Sequence, residues 1–126
     1  MIPTRWKTLF EDQLADAEQR IASAETHLGT DEGAKALQAA YQAVVAAASV
    51  RVWLVDHPWE RALPTDEMQR RVQAEFPGLF AALASLNIQE ALTSAWSAEA
   101  AAPYVAESKG YVAETRAEFT AWLQGN

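Results

Sequence analysis

The chain has 126 residues, of which 27 are alanine, five are glycine and five are proline, and its formal charge is −7. Alanine is the best helix former, and the shortage of turn-forming and β-branched residues excludes a β-sandwich of this length. The absence of cysteine excludes disulfides and thiolate metal sites. The negative charge argues against a protein that coats nucleic acid.

No apolar run approaches the roughly 18 residues that a membrane-spanning helix needs. The first residues, Met-Ile-Pro-Thr-Arg-Trp, lack the apolar segment of a signal peptide. We therefore expect a cytoplasmic protein that does not associate with a membrane.

The first predicted helix covers residues 5–28. Apolar residues recur there at intervals of three and four, at Trp6, Phe10, Leu14, Ala17, Ile21, Ala24 and Leu28. This spacing is typical of an amphipathic helix. Thr4 is the expected N-cap, and Gly29 is the expected left-handed residue after the last turn.

The second predicted helix begins at residues 30–32 and ends before Pro58, because the residue before a proline disfavours the helical conformation. Its apolar stripe runs from Leu37 to Val55, and residues 39–50 are almost all small or apolar. A helix that is apolar around most of its circumference is usually central in a bundle. The short connection from the first helix indicates an antiparallel hairpin.

The second half of the chain is interrupted more often. Residues 57–65 are predicted to form a loop, and Thr65 or Asp66 caps a short third helix that runs to Phe76. Pro77-Gly78 then breaks the chain.

A fourth helix begins near Leu79, is kinked or interrupted near Asn87 and reaches Trp96. Residues 97–102 are ambiguous between helix and loop, and Pro103 suits the first turn of a final helix. Together the elements predict an all-α fold, a single up-and-down helical bundle of four to six helices spanning residues 1–126. Eight residues are expected to be buried together in its core: Leu14, Ile21, Leu37, Tyr41, Val44, Leu83, Phe119 and Trp122.

The sequence lacks the motifs of several common kinds of catalytic site. There is no Glu-x-x-His pair for a di-iron bundle and no His-Glu-x-x-His for a zinc hydrolase, and the chain has only two histidines. The five glycines are scattered, so no phosphate-cradling loop is present, and no nucleophile-elbow motif occurs. We therefore expect no metal and no cofactor.

Residues 51–71 differ from the rest of the chain because their four arginines balance four acidic residues, whereas both flanking segments are net acidic. The segment also holds two tryptophans, one on each side of His57. A bound anion or small ligand is expected here if anywhere, with these binding residues: Trp53, Trp59, Arg61, Arg70 and Arg71. In the alternative interpretation, the charged residues solvate a loop and short helix while the tryptophans cover one end of the bundle.

Arg51 also has two interpretations. Near the end of the second helix it can bind terminal carbonyls or local carboxylates, for which Asp56 and Glu60 are the nearest candidates. In the catalytic hypothesis, Arg51 stabilises negative charge while His57 acts as acid or base near neutral pH.

The order of elements resembles that of the HEPN superfamily: a long helical hairpin is followed by a variable middle and a long final helix. Helix 2, with Ala39-Ala40-Tyr41 and the small residues up to Ser49, is similar to the central HEPN helix, and residues 103–124 are similar to its closing helix. Many HEPN members carry an arginine and a histidine separated by four to six residues, which cleave RNA without metal at a dimer interface. Arg51 and His57, with five intervening residues, match that spacing.

The resemblance implies one of two functions. HEPN domains without catalytic residues serve as dimerising partners of nucleotidyltransferases, and the acidic charge favours this non-enzymatic class. The alternative is a metal-independent ribonuclease that uses Arg51 and His57 on an RNA substrate. A third hypothesis, independent of the family, is a bundle that binds a small ligand near Trp53, His57 and Trp59.

The number of aromatic residues predicts that the chain associates with another protein chain. Five Trp, three Tyr and four Phe are more than a bundle of this size easily encloses, so an exposed aromatic patch is expected. We predict a two-fold homodimer with at least one of Trp53, Trp59 or Trp96 at its interface.

Overall fold

The computed structural model describes residues 2–84 and 88–125, and within them it contains six helices and no strand. The helices are α1 (Thr4–Gly29), α2 (Gly33–Asp56), α3 (Thr65–Ala74), α4 (Gly78–Ala84), α5 (Ile88–Thr93) and α6 (Ala98–Gly125). This confirms the all-α helical bundle. The predicted break near Asn87 lies outside the described residues.

The three long helices, α1, α2 and α6, pack against one another, and α2 is central. The reason is its composition: seven alanines of α2 are buried, so neighbouring helices approach its backbone closely. The short helices α3 and α5 contact a different side of α2, while α4 joins α3 and α5 to α6. None of the described helices is long and apolar enough to cross a membrane.

The buried side chains form two groups. The larger surrounds α2 and includes Ile21, Leu37, Val44 and Leu83. The smaller lies at the end of the bundle where α1 begins and α2 and α6 end, around Phe10, Leu14, Val50 and Phe119. Of the eight predicted core residues, six are buried, whereas Tyr41 and Trp122 are only half-buried.

The turn between α1 and α2 differs from the prediction. Gly29 is the last residue of α1, and no glycine in the described chain has a positive φ. Asp31 instead takes the left-handed conformation, with φ of 58°, which aspartate tolerates better than most residues. The N-cap of α1 is Pro3 and not Thr4.

The final helix begins at Ala98, so most of the segment 97–102, which the sequence left ambiguous, is helical. Ser97 accepts a hydrogen bond from the Ala100 amide at 3.0 Å, so it caps α6, and Pro103 lies inside the helix. A proline there removes the hydrogen bond to the carbonyl of Glu99, and its ring crowds that carbonyl. Glu99 lies in the exposed first turn of α6, where water can bind that carbonyl instead.

Gly33, the first residue of α2, is the point of closest backbone packing. A Cβ atom at this position would overlap the backbone carbonyl groups of Trp96 and Ser97. Any larger residue would therefore push the start of α2 away from the start of α6.

We predict that Gly33→Ala lowers the free energy of unfolding by about 1–3 kcal/mol, as overpacking does in a tight site. The matched control is Gly110→Ala in the exposed middle of α6, where a Cβ meets nothing within 4 Å. That change should raise stability by about 0.5–1 kcal/mol, because glycine is the poorer helix former. Urea denaturation of both variants measures the difference, and equal effects would contradict the close approach at Gly33.

Glu32 joins the end of α1, the turn and the start of α2 through polar contacts. Its carboxylate accepts hydrogen bonds from Lys35 at 2.8 Å and Thr30 at 2.6 Å, and it lies 3.3 Å from His27 Nδ1. These contacts, that of Lys35 first, lower the pKa of Glu32 from 4.5 to about 2.

A lowered folded-state pKa means that the stabilising contribution of Glu32 is complete above pH 4.5 and is lost as the pH falls towards 2. We expect Glu32→Gln to lose less stability than the wild type across this interval in urea denaturation at a series of pH values. Asp12→Asn, at an exposed position of α1 without an ion pair among the described residues, is the control. An unchanged pH profile for Glu32→Gln would refute the assignment.

Candidate functional site

Arg51 lies between α2 and α6, and its side chain is only 17% exposed. Its Nε donates a hydrogen bond to Thr115 Oγ1 at 2.8 Å, and its Nη1 lies 3.1 Å from a carboxylate oxygen of Glu118. A second carboxylate, that of Glu114, lies 3.8 Å from Nη2. The guanidinium is thus surrounded by acceptors from α6.

The aromatic ring of Tyr111 completes this environment, since the Arg51 guanidinium carbon lies 4.3 Å from the ring centroid. At that distance a cation is attracted to the face of the ring. The Tyr111 hydroxyl donates to the carbonyl of Glu75 at 2.7 Å, at the end of α3, and burial raises the pKa of Tyr111. Thr115 is fully buried and donates to the carbonyl of Tyr111 at 2.8 Å. These contacts connect α2, α3 and α6.

The predicted partners of Arg51 were wrong. Asp56 instead pairs with Arg71 at 2.7 Å, and Glu60 lies 3.4 Å from His57. The α2 helix turns the Arg51 side chain towards α6, so carboxylates more than sixty residues away in the chain replace the local ones.

His57 ends α2 in the left-handed conformation, with φ of 37°. Its ring stacks on Trp59, with centroids 4.8 Å apart and planes 13° apart. The side chain of Arg51 therefore binds α6 while that of His57 binds the loop after α2. Within the described residues, no hydrogen bond or ion pair joins the two.

Four of the five tryptophans lie together at this end of the bundle. The set, which we call the aromatic end, consists of Trp6, Phe10, Trp53, His57, Trp59, Phe119 and Trp122. The Phe10 and Trp53 rings stack at 5.4 Å, and Trp59 meets Trp122 edge to face at 5.9 Å. Every tryptophan of the chain is half-buried, so these residues pack against one another more than they face water.

The other predicted binding residues lie apart from one another. Arg61 and Arg70 are exposed, and Arg71 is half-buried in its ion pair with Asp56. Arg70 and Arg71 line a small hollow on α3 together with Glu67 and Glu75. That hollow is balanced in charge and does not contain Trp53 or Trp59.

A surface on α2 was missed by the sequence analysis. Three adjoining hollows of about 430, 310 and 430 Å³ share Tyr41. We call them together the α2 groove: its floor is formed by Tyr41, Val45 and Ser49, and its walls by α1, α3 and α5. The signal was present as Gln38, Gln42 and Ser49, polar residues at helical spacing in an otherwise apolar segment.

The α2 groove is apolar at its centre and rich in amides at its edges. Val72 and Phe76 form part of the α3 side, while Gln13 lies on the α1 side. Its two charged residues, Asp16 and Arg20, form an ion pair at 2.8 Å, and Arg20 also donates to Gln42. Burial raises the pKa of Tyr41, whose hydroxyl has no hydrogen-bond partner within the described chain.

Within residues 2–84 and 88–125, no group of three or more histidine, aspartate or glutamate side chains is arranged to hold a metal ion. Comparison with known proteins gave no match to any protein-family model, curated protein or solved structure.

We predict that Arg51→Met lowers the free energy of unfolding by about 1.5–3 kcal/mol, because it removes charge-assisted hydrogen bonds and leaves Thr115 without its donor. Glu118→Gln should cost less than about 1 kcal/mol, since that carboxylate is 51% exposed. Arg70→Met, at an exposed position, is the control. If Arg51→Met were as stable as the wild type, Arg51 would not be a packing residue.

Proposed function

We propose that this chain is a non-catalytic helical interaction domain that forms a homodimer. The observation that carries the proposal is the position of Arg51. Its Nε and Nη1 are bound by Thr115 and Glu118 of α6, with Glu114 near Nη2. A guanidinium that is neutralised and bound in this way is a packing element that joins two helices.

Catalysis by Arg51 and His57 would require both side chains to face the same phosphate. Arg51 would first have to leave the carboxylates of Glu114 and Glu118 and its hydrogen bond to the buried hydroxyl of Thr115. His57 would have to leave the ring of Trp59, on which it is stacked. Both costs disfavour the ribonuclease hypothesis, and neither arises for an interaction domain.

The small-ligand hypothesis is disfavoured by the packing of the aromatic end. Trp53 is stacked on Phe10, and Trp59 is covered by His57. The rings that would hold a ligand are thus occupied by one another, whereas the α2 groove leaves part of α2 uncovered.

The resemblance of the sequence to the HEPN superfamily extends the proposal to a class of partner. In non-catalytic HEPN domains the dimer associates with a nucleotidyltransferase, and an acidic chain suits a protein partner better than a nucleic acid. We propose a separately encoded nucleotidyltransferase-type protein as the second partner, on the pattern of helices alone.

The proposal predicts no cleavage of RNA. Single-stranded and structured RNA incubated with the protein in EDTA should remain as intact as in buffer, and His57→Ala should behave like the wild type. Cleavage in EDTA that disappears in both His57→Ala and Arg51→Lys would establish the ribonuclease instead.

The proposal also predicts self-association. Sedimentation velocity over the micromolar range should show a species of twice the chain mass of 13.8 kDa. A species that keeps the single-chain mass as the concentration is raised would refute the homodimer.

A further inference from the structure

The α2 groove has the dimensions of a helix-binding surface. Along α2 it extends from Gln38 to Ser49, a distance of about 16 Å at a rise of about 1.5 Å per residue. The ten residues of α3, which form one wall, span about 15 Å. A helix of the length of α3 therefore fits the groove.

The size of the α2 groove favours a protein as its occupant. Sixteen described residues line the three hollows. A stable protein interface uses about 20–30 residues on each side. The groove and its immediate rim thus supply most of one standard interface, which is far more than a small ligand would contact.

Charge restricts the kind of partner. The two charged residues that line the groove, Asp16 and Arg20, neutralise each other, while the chain as a whole carries −7. Two acidic chains repel each other, so they associate most easily through a face on which neither carries net charge. A nucleic acid or an anionic membrane would instead need a basic face.

Amide chemistry points to a second copy of the same face. Five of the eight glutamines of the chain line the groove, namely Gln13, Gln38, Gln42, Gln69 and Gln73. An amide side chain both donates and accepts hydrogen bonds, so a glutamine can pair with another glutamine. In a two-fold contact each surface meets itself, which requires groups that are complementary to themselves.

The hollow between α1 and α6 offers no such surface. Lys109 pairs with Glu25 across it at 3.1 Å, and Arg116 binds Glu18 at 2.7 Å. These ion pairs already join the two helices across this face, and a partner would have to displace or desolvate them.

We propose that the α2 groove is a self-association surface, in which the α3 wall of each copy lies in the groove of the other around a two-fold axis. This inference rests on the homodimer proposed above and adds where the two copies meet. It places Tyr41 at the centre of the contact, with its hydroxyl available to the partner. The aromatic end lies outside the contact, so this inference replaces the prediction from the sequence that Trp53 or Trp59 lies at the interface.

The test uses two exposed glutamines of the α3 wall, Gln69 and Gln73, whose side chains make no hydrogen bond within the described residues. Gln69→Glu with Gln73→Glu brings four carboxylates into one two-fold contact, and the dimer dissociation constant should rise at least about tenfold. The matched control is Gln19→Glu with Gln124→Glu, which adds the same charge at exposed positions outside the groove. The control should dimerise like the wild type.

A charge-reversal experiment tests the two-fold arrangement itself. Gln69→Lys with Gln73→Lys should also dissociate, and mixing it with the glutamate double variant should restore association as a heterodimer. Circular dichroism and thermal unfolding verify that each variant is folded, which is expected because both positions are exposed in the single chain.

The outcomes separate the two proposals. If the wild type dimerises and the glutamate double variant dimerises equally well, the copies meet elsewhere, and the groove inference is wrong while the homodimer stands. If the control double variant dissociates as much as the groove variant, general charge repulsion explains the effect and the groove inference is again overturned. A monomeric wild type refutes the homodimer, and the groove inference with it.

Discussion

The structure depends on how closely α1 and α6 approach α2. Seven buried alanines and Gly33 on α2 present almost no side-chain volume, so the larger residues of the flanking helices fill the space between them. Ile21 and Phe119 supply part of that volume. A larger side chain in this run would separate the long helices, and every contact between α2 and its neighbours would change with it. The alanine content that first indicated a helical protein is therefore also what makes α2 central.

The packing of Arg51 depends on the same close approach of α6 to α2, at the point where the run of alanines ends. Its long cationic side chain lies against α6, mostly buried, and it binds the acceptors that α6 offers. Its stacking over Tyr111 then positions a phenol that donates to the end of α3. Arg51 thus contributes, together with the buried Val72 and Phe76, to how α3 lies against the long helices. This explains why an arginine and a histidine at a catalytic spacing in the sequence have different surroundings in space: one faces a neighbouring helix, and the other ends its own.

Features set by local periodicity could be predicted from the sequence, whereas features set by distant contacts could not. The extents of α1 and α2 follow from apolar spacing and from Pro58, and six of the eight expected core residues are buried because they lie on those stripes. The partners of Arg51 lie more than sixty residues away, so no local rule could identify them. Tyr41 has the spacing of a core residue, and its partial exposure depends on α3 and α5, which leave one strip of α2 open. α6 begins at Ala98 because Ser97 caps it, whereas Pro103 alone indicated a later start.

The distribution of charge connects the fold to the proposed assembly. Six of the ten basic residues form ion pairs within the described chain. Arg116 and Lys109 join α6 to α1, Arg51 joins α2 to α6, and Arg71 holds Asp56, while Arg20 and Lys35 pair with nearby acidic residues. These pairs leave the outer surface with an excess of carboxylates, which keeps identical chains apart in most orientations. The α2 groove escapes this repulsion because its single acid and single base pair with each other and its remaining polar groups are amides and hydroxyls. On an acidic surface, a neutral and self-complementary face favours association through that face, since repulsion penalises contacts between acidic faces. In this chain, the same ion pairs that fix the helices against each other would thereby also select how two copies meet.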